Sequence, residues 1–395
     1  MAIQQSSNLG TSVRTRYRLR YEEGVEAVRT YDQLAGVLQD TDVPRGSSVT
    51  VVAYSKLQPR PTTAVGSQTA DFTPQTMTES STSVTVDFYN DGLKAHDKAK
   101  LSSYLPTEEA YAKLVGENMA ETVDALARRQ ATQNGIQLWK GTNTTRATLA
   151  QATAADRMKA AIFTDARAIS GSWQLNKYLD GTMMCIMSDE QFADLINESS
   201  SALITRQGYT EQGIKILLNW ELATLSGIRL VVSPYAKKCY GAGAANGTSV
   251  STTLNDSAAN AGDTTITVTA NTNIAAGQWL SIGTAQTGDE SDTTILTEPV
   301  NVLSVSGTTI TIAGQHPLGG LLYSHADGAT VSNAATVYIA AFGGPNSLAK
   351  VYDKGEGEYG QLVGPKTDGM ADQWTSWAWR WFGGYGVVNK AWIIR

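Results

Sequence analysis

The sequence predicts an α+β protein that carries a separate all-β segment, and three observations predict it. A helical pattern runs from 107 to 134. Strand-like runs lie on both sides of it, the last of them dense in tryptophan. Between Cys239 and Ala349 there is no Lys or Arg at all, and short Thr- and Val-rich runs recur there between turn signals.

The helix is justified at both ends. Pro106-Thr107-Glu108-Glu109 offers an N-cap and puts acids in the first turn, where the helix dipole favours them. Tyr111, Leu114, Val115, Met119, Val123 and Leu126 recur at helical spacing, and Gly135 is placed to end the run. Such a helix extends about 40 Å at 1.5 Å per residue and suits a structural spine. Before it, Ser48–Tyr54 and Ser83–Tyr89 read as strands, and residues 46–92 as a long two-stranded excursion. The apolar-poor stretch between them, with Pro59, Pro61, Gly66 and Pro74, cannot build a core of its own and predicts a partner. After the helix, a second one is expected over Asp156–Ile169, then the strand Met183–Met187. Ser188 with Gln191 forms a capping box for a short helix, and Ile228–Val232 reads as a further strand. Trp377, Trp379 and Trp381 alternate, as do Trp392 and Ile394, which predicts two long C-terminal strands whose aromatic face forms a sheet core.

Charge separates the all-β segment from the rest. Its seven acids, Asp256, Asp263, Asp289, Glu290, Asp292, Glu298 and Asp327, make it −7, while 31 Lys and Arg elsewhere face 30 acids. With Gly241-Ala242-Gly243-Ala244-Ala245-Asn246-Gly247 at its start, it reads as an inserted domain. Thr264–Val268, Trp279–Ile282, Val300–Val305 and Thr308–Ile312 are its strand candidates. Ser306-Gly307 is a candidate hairpin turn, and the shared Thr-Thr-Ile-Thr pattern hints at a weak repeat. Threonine alternating with aliphatics suits a small barrel or sandwich with one wet face.

Composition excludes several functions. The net charge of −6 argues against a generally basic nucleic-acid binder. Two cysteines exclude a disulfide scaffold or a multi-cysteine zinc cluster. No apolar run reaches the roughly 18 residues of a membrane span, and the first residues lack a signal peptide's apolar core; a soluble, unexported chain is expected. Gly355-Glu356-Gly357-Glu358-Tyr359-Gly360 spells a dinucleotide loop, but two carboxylates would face the pyrophosphate and no helix start follows. His316, His325 and Asp327 invite a metal, yet their setting reads as ordinary surface turns. Asp289-Glu290-Ser291-Asp292 lacks EF-hand spacing. Cys185, within an apolar strand, reads as a packing thiol. Arg14, Arg16, Arg18 and Arg20 alternate and suit either phosphate or, as the preferred reading, acids of the same or a neighbouring chain.

Four further segments, in this order, carry a resemblance: Phe72-Thr73-Pro74 with Thr85–Gly92, Glu117–Thr122, Leu217–Arg229 and Asn389–Arg395. Together with the order of elements they resemble the major capsid proteins of tailed bacteriophages, with the Hong Kong 97-type fold, and more narrowly the podovirus-type branch. The resemblance covers about 300 residues, omits 241–335, and rests on structural motifs. It implies an N-terminal arm (1–45), an extended loop (46–92), a peripheral domain (93–175 and 345–395) with the spine helix at 107–134, and an axial domain (176–240 and 336–344). The inserted β domain at 241–335 would then lie outside. It further implies a structural protein, not an enzyme, with no cofactor, that self-assembles through hexamers and pentamers around double-stranded DNA. Arg14, Arg16, Arg18, Arg20, Lys56, Arg60, Phe72 and Glu79 become candidates for contacts between subunits. Expected partners are other copies of the chain, portal and scaffolding proteins, a decoration protein, and packaged DNA bound without sequence specificity, with no membrane. The expected location is the virion shell, assembled in the bacterial cytoplasm. Two rival readings share parts of the pattern: an encapsulin-type compartment, and a carbohydrate-binding adhesin or tail protein.

Overall fold

The computed structural model describes residues 18–23, 29–39, 48–54, 57, 75–96, 107–139, 141, 143–149, 156–198, 224–256, 259–286, 297–353, 357–358, 360–368, 374–387 and 389–395. A helical turn at 18–23 and a 3-10 turn, Tyr31–Leu34, lead into β1 (Ala35–Gln39). Strands β2 (Ser48–Tyr54), β3 (Glu79–Thr85) and β4 (Asp87–His96) precede the long helix α1 (Thr107–Gln133). Next come α2 (Ala160–Ser172), β5 (Met183–Met187), α3 (Asp189–Asn197), β6 (Thr224–Leu225), β7 (Ile228–Val232) and β8 (Lys238–Cys239). Six short strands follow: β9 (Ser251–Thr253), β10 (Thr265–Thr267), β11 (Trp279–Ile282), β12 (Glu298–Ser306), β13 (Thr309–Ala313) and β14 (Thr330–Ser332). The chain continues through β15 (Val337–Tyr338), β16 (Ala341–Gly343), β17 (Leu348–Tyr352), β18 (Gln361–Asp368), β19 (Trp374–Gly386) and β20 (Ile393–Ile394).

These elements form two compact units. One contains 1–130 and 345–389, the other 131–344 and 390–395. The boundary expected at 175/176, with 390–395 beside the spine helix, falls instead after 130, and 390–395 join the second unit. In the structure, α2 and Ile394 share one core with β5 and β7, so Phe163, Ala166, Met183, Cys185, Ile228, Phe342 and Ile394 are buried together.

In the first unit β19 is the central strand of a sheet ordered β1-β17-β19-β18, with β4 also paired along β19 from Trp374↔His96 to Gly383↔Asp87. Trp377, Trp379 and Trp381 point inward and are fully buried. Helix α1 buries Ala112, Val115, Met119, Ala120, Val123 and Ala127, a stripe at three- and four-residue spacing. Leu114, expected on that stripe, is 54% exposed. The strand expected over 83–89 is broken at Val86, where the chain passes from β3, paired with β2, to β4, paired with β19.

In the second unit the sheet is ordered β20-β16-β5-β7-β6, with β5 and β7 parallel from Met183↔Ile228 to Met187↔Val232. The capping box at α3 forms as expected: Ser188 accepts from the Gln191 N–H and Gln191 accepts from the Ser188 N–H. Helix α2 starts later than expected. Asp156 does not cap it but accepts from Asn143 at 2.6 Å, and the Glu198 carboxylate takes the Ala160 N–H instead. The second C-terminal strand is also shorter than expected: Lys390–Trp392 is a 3-10 turn, and only Ile393–Ile394 joins a sheet.

From this unit the chain leaves through β8 and returns through β15, which pair at Cys239↔Val337 and Lys238↔Tyr338. The ladder continues through Gly243 N–H to Ala335 O at 2.8 Å and the Ala245↔Ala334 bridge. Beyond this neck lies a six-stranded sheet ordered β10-β13-β12-β11-β14-β9. Its edges meet: Leu254 bridges Val268, Asn255 donates to Thr267 O and Thr269 donates to Thr253 O, both at 2.9 Å. The sheet is therefore a closed barrel, and closure removes the free edges that invite aggregation. Val250, Ile266, Leu280, Ile282, Val300, Val302, Ile310, Ile312 and Val331 are among the side chains that fill it. The two Thr-Thr-Ile-Thr segments pair with one another, Thr265↔Thr311 to Thr267↔Thr309. The hairpin turn sits one residue later than expected. Ser306 pairs with Thr309, leaving Gly307-Thr308 as the loop, because the first loop residue needs the positive φ (59°) that glycine supplies.

Candidate assembly surfaces

The hairpin of β2 and β3 pairs over its whole described length, Ser48↔Thr85 to Tyr54↔Glu79. Its root is anchored: Val84 and Val86 are buried with Ala349 and Val351, and Val49 and Phe382 pack on them. That anchoring depends on two glycines of β19. A Cβ at Gly384 would collide with the Thr85 carbonyl oxygen, and one at Gly386 would stand 2.6 Å from Val84 Cγ2. Away from the root the hairpin is exposed. Val52 is 41%, Tyr54 62%, Leu57 57% and Met77 59% exposed, a run of large apolar side chains that has no covering surface among the described residues. Glu79 is exposed opposite Tyr54. Lys56, Arg60 and Phe72 lie outside the described residues, as do Arg14 and Arg16.

Arg18 and Arg20 are described, and both pair within the chain. Arg18 binds Glu22 at 2.8 Å, and Arg20 binds Glu23 at 2.7 Å and Glu109, in the first turn of α1, at 3.4 Å. Next to them Tyr21 is buried, and its carbonyl packs so close to Gly116 that no Cβ fits there.

A buried polar network, not anticipated from sequence, fixes residues 29–39 in the same unit. Lys350 is 1% exposed, and its ammonium lies 2.9 Å from Asp32 and 3.2 Å from Glu358. Asp32 also accepts from Tyr385 at 2.7 Å and from Arg29. Burial alone would raise the Asp32 pKa, but Lys350, Tyr385 and Arg29 outweigh it and hold the carboxyl below its ordinary value. Asp124, on α1, accepts the N–H groups of Thr30, Tyr31 and Asp32 at 3.0, 2.7 and 3.2 Å. There burial prevails and raises its pKa despite those three bonds. No local pattern marks these residues, because Asp32 and Lys350 are 318 positions apart.

In the barrel, Glu298 is 1% exposed and accepts from Leu322 N–H at 2.7 Å, Tyr323 N–H at 3.0 Å and the His325 ring at 2.8 Å. His325 is thus buried, not the surface residue expected. In a stretch without Lys or Arg, it and two backbone N–H groups are what satisfy the carboxylate. A signal existed: Glu298 occupies the inward-facing register shared by Val300 and Val302. His316 accepts the Leu318 N–H at 3.1 Å. Among the described residues no three metal-ligating side chains cluster. The segment Asp289–Asp292 lies outside them. Gly357 and Gly360 have positive φ in a connection between two strands, with no helix following. Cys185 is fully buried, and burial pushes its thiol pKa well up, so it is an inert packing group.

No protein-family profile and no curated protein sequence matches the chain. Solved structures do. The capsid of Ralstonia phage GP4 is similar at a TM-score of 0.51 and 11% identity, over 91% of this chain and 84% of that one. The capsid of cyanophage P-SCSP1u is similar at 0.52 and 12% identity, over 92% and 86%. That of cyanophage Pam1 is similar at 0.50 and 10% identity, over 93% and 89%. At such identities the likeness speaks for the fold, and it spans about nine-tenths of the chain. The fold is the one that these phage capsid chains share.

Proposed function

We propose that this chain is a major capsid protein, a structural and non-enzymatic subunit that self-assembles through hexamers and pentamers into an icosahedral shell around double-stranded DNA. The observation that carries this reading is the capsid fold over almost the whole chain. The exposed apolar hairpin supports it, since a strand pair that cannot cover its own apolar side chains needs another surface. On this reading 1–45 is the N-terminal arm and 46–92 the extended loop that crosses a neighbouring copy. The peripheral domain is 93–130 with 345–389, and the axial domain 131–240 with 336–344 and 390–395, following the shared core of α2, β5 and Ile394. The barrel at 241–335 is an exterior ornament: a segment of −7 facing packaged DNA would be repelled, whereas the rest, near neutral, tolerates that neighbour. Portal, scaffolding and decoration proteins are the expected partners, and the host cytoplasm the place of assembly. Neither an enzyme-filled compartment nor an adhesin is favoured. Particles filled with protein cargo, or glycan binding by the barrel, would speak for them.

The test is sedimentation velocity with negative-stain microscopy on the whole chain. Shells or rings of capsomer size are expected, and a chain that stays monomeric alone and with a scaffolding protein overturns the reading. Deleting 60–78 should leave a folded monomer that closes no shells. Normal shells from that variant would overturn the role given to the extended loop.

A further inference from the structure

The sheet of the first unit has a long open side. β4, ten residues, pairs with β19 from Asp87↔Gly383 to His96↔Trp374 and, among the described residues, with no other strand. At about 3.4 Å per residue this edge runs about 30 Å. Asp87, Phe88, Asn90, Asp91, Gly92 and Lys94 are exposed along it, Phe88 by 48%. A long exposed edge that carries an apolar side chain is a template on which another chain can pair.

Alternate residues of an antiparallel edge strand turn their N–H and C=O groups away from the partner. On β4 two of those outward N–H groups are already taken. Phe88 N–H donates to the Asp87 carboxylate at 2.8 Å, and Gly92 N–H donates to the Asp91 carboxylate at 2.7 Å. Phe88 and Gly92 lie four residues apart, so both N–H groups face the same side of the strand. A strand added there, at a spacing of about 4.8 Å, would have to set its carbonyl oxygens on these N–H groups. It would meet carboxylate oxygens instead, and an ionised carboxylate can only accept. Acceptor would face acceptor with no proton between them. A second open side of the same sheet is protected by other means. β18 pairs with β19 alone, and between Val363↔Ala378 and Lys366↔Ser376 it carries one extra residue. Pro365, inside that bulge, has no N–H to offer, and Lys366 beside it is exposed.

We propose that Asp87 and Asp91 are edge guards, which close β4 to strand addition by a second copy of the chain. Each carboxylate satisfies the N–H that follows it and places a negative charge where an incoming backbone would lie. Copies are thereby kept from joining sheet to sheet along β4, the association that leads to open-ended polymers. The barrel meets the same hazard by closure. The guard does not depend on the shell reading, since an open edge endangers a monomer as much as a shell subunit.

The test removes both guards from the whole chain, Asp87→Ala with Asp91→Ala. The control, Glu121→Ala with Asp165→Ala, removes two exposed acids from helix surfaces and lowers the negative charge equally. Circular dichroism and thermal unfolding report the fold, and thioflavin T with sedimentation velocity reports edge-paired polymer as distinct from shells or monomer. The guard variant should raise the fraction of chains in thioflavin-positive polymer at least about fivefold, the factor one ordinary hydrogen bond is worth. The control should stay at the level of the parent. A guard variant at the level of the parent, or a control that polymerises as much, overturns the proposal. Should the alanine pair fail to fold, Asp87→Asn with Asp91→Asn keeps the shape and removes the charge. Polymer above the parent's level is expected from that pair too, and its absence overturns the guard.

Discussion

At the scale of single residues, the Asp32–Lys350 pair is a buried contact that either partner alone maintains poorly. Two charges buried together are weak evidence of net stabilisation, but removing Lys350 leaves the buried Asp32 carboxylate with only Tyr385 and Arg29. Lys350→Met should therefore lower the unfolding free energy at pH 7 by about 3–5 kcal/mol, read from urea denaturation. The pH dependence gives a second readout. The folded Asp32 carboxyl lies below the ordinary 3.8, so its contribution is present above that pH and is lost as pH falls through the folded value. Asp124 works the other way. Its raised pKa means that the fold gains stability as pH falls through that value toward 3.8. Acid loss from Asp32 is thus confined to pH below about 4 in the parent. In Lys350→Met the carboxylate keeps Tyr385 and Arg29 but loses the ammonium that does most to offset its burial, so it protonates more readily and the gap between variant and parent should narrow from pH 7 to pH 4. A gap that is constant over that interval would show that Lys350 acts by packing alone.

At the scale of elements, placement of the hairpin turns on Gly384. A methyl group there meets the Thr85 backbone carbonyl, which cannot rotate aside as a side chain would. Gly384→Ala should cost about 1–3 kcal/mol, typical of overpacking, and hydrogen exchange over β2 and β3 should quicken. Gly171→Ala, in α2 with nothing within 4 Å, is the control and should stabilise by about 0.5–1 kcal/mol. The contrast explains what the sequence made legible. Elements whose stability is local could be read: α1 from its period, β5 from its apolar run, α3 from Ser188 and Gln191, the tryptophan face of β19 from alternation. Elements set by distant partners could not. The start of α2 depends on Glu198, 38 residues away, and β6, β8, β15 and β20, two residues each, exist only because a neighbouring strand is already in place. The candidate surfaces divide likewise. The exposed hairpin was legible as a segment with no core, whereas the Asp32–Lys350 network, whose members lie 318 positions apart, carries no motif.

At the scale of the whole molecule, the barrel is a body with its own core on a narrow base. Its closed sheet needs no strand from elsewhere, and the chain enters and leaves through β8 and β15 side by side, with Asn246 N–H on Asn333 O at 3.2 Å as the last rung of the neck. The ends to be rejoined are thus already hydrogen-bond neighbours. Replacing 247–332 by a two-residue turn closes a hairpin with little added loop entropy. The shortened chain should fold, and if the barrel is an exterior ornament it should still form the particles of the parent, with its negative charge reduced by the acids removed. Circular dichroism and thermal unfolding report the fold, sedimentation velocity the particle. A shortened chain that folds but no longer associates would place the barrel in the contacts between copies, and would move the interface from the hairpin toward the exposed Trp279 and Leu303 of the barrel wall.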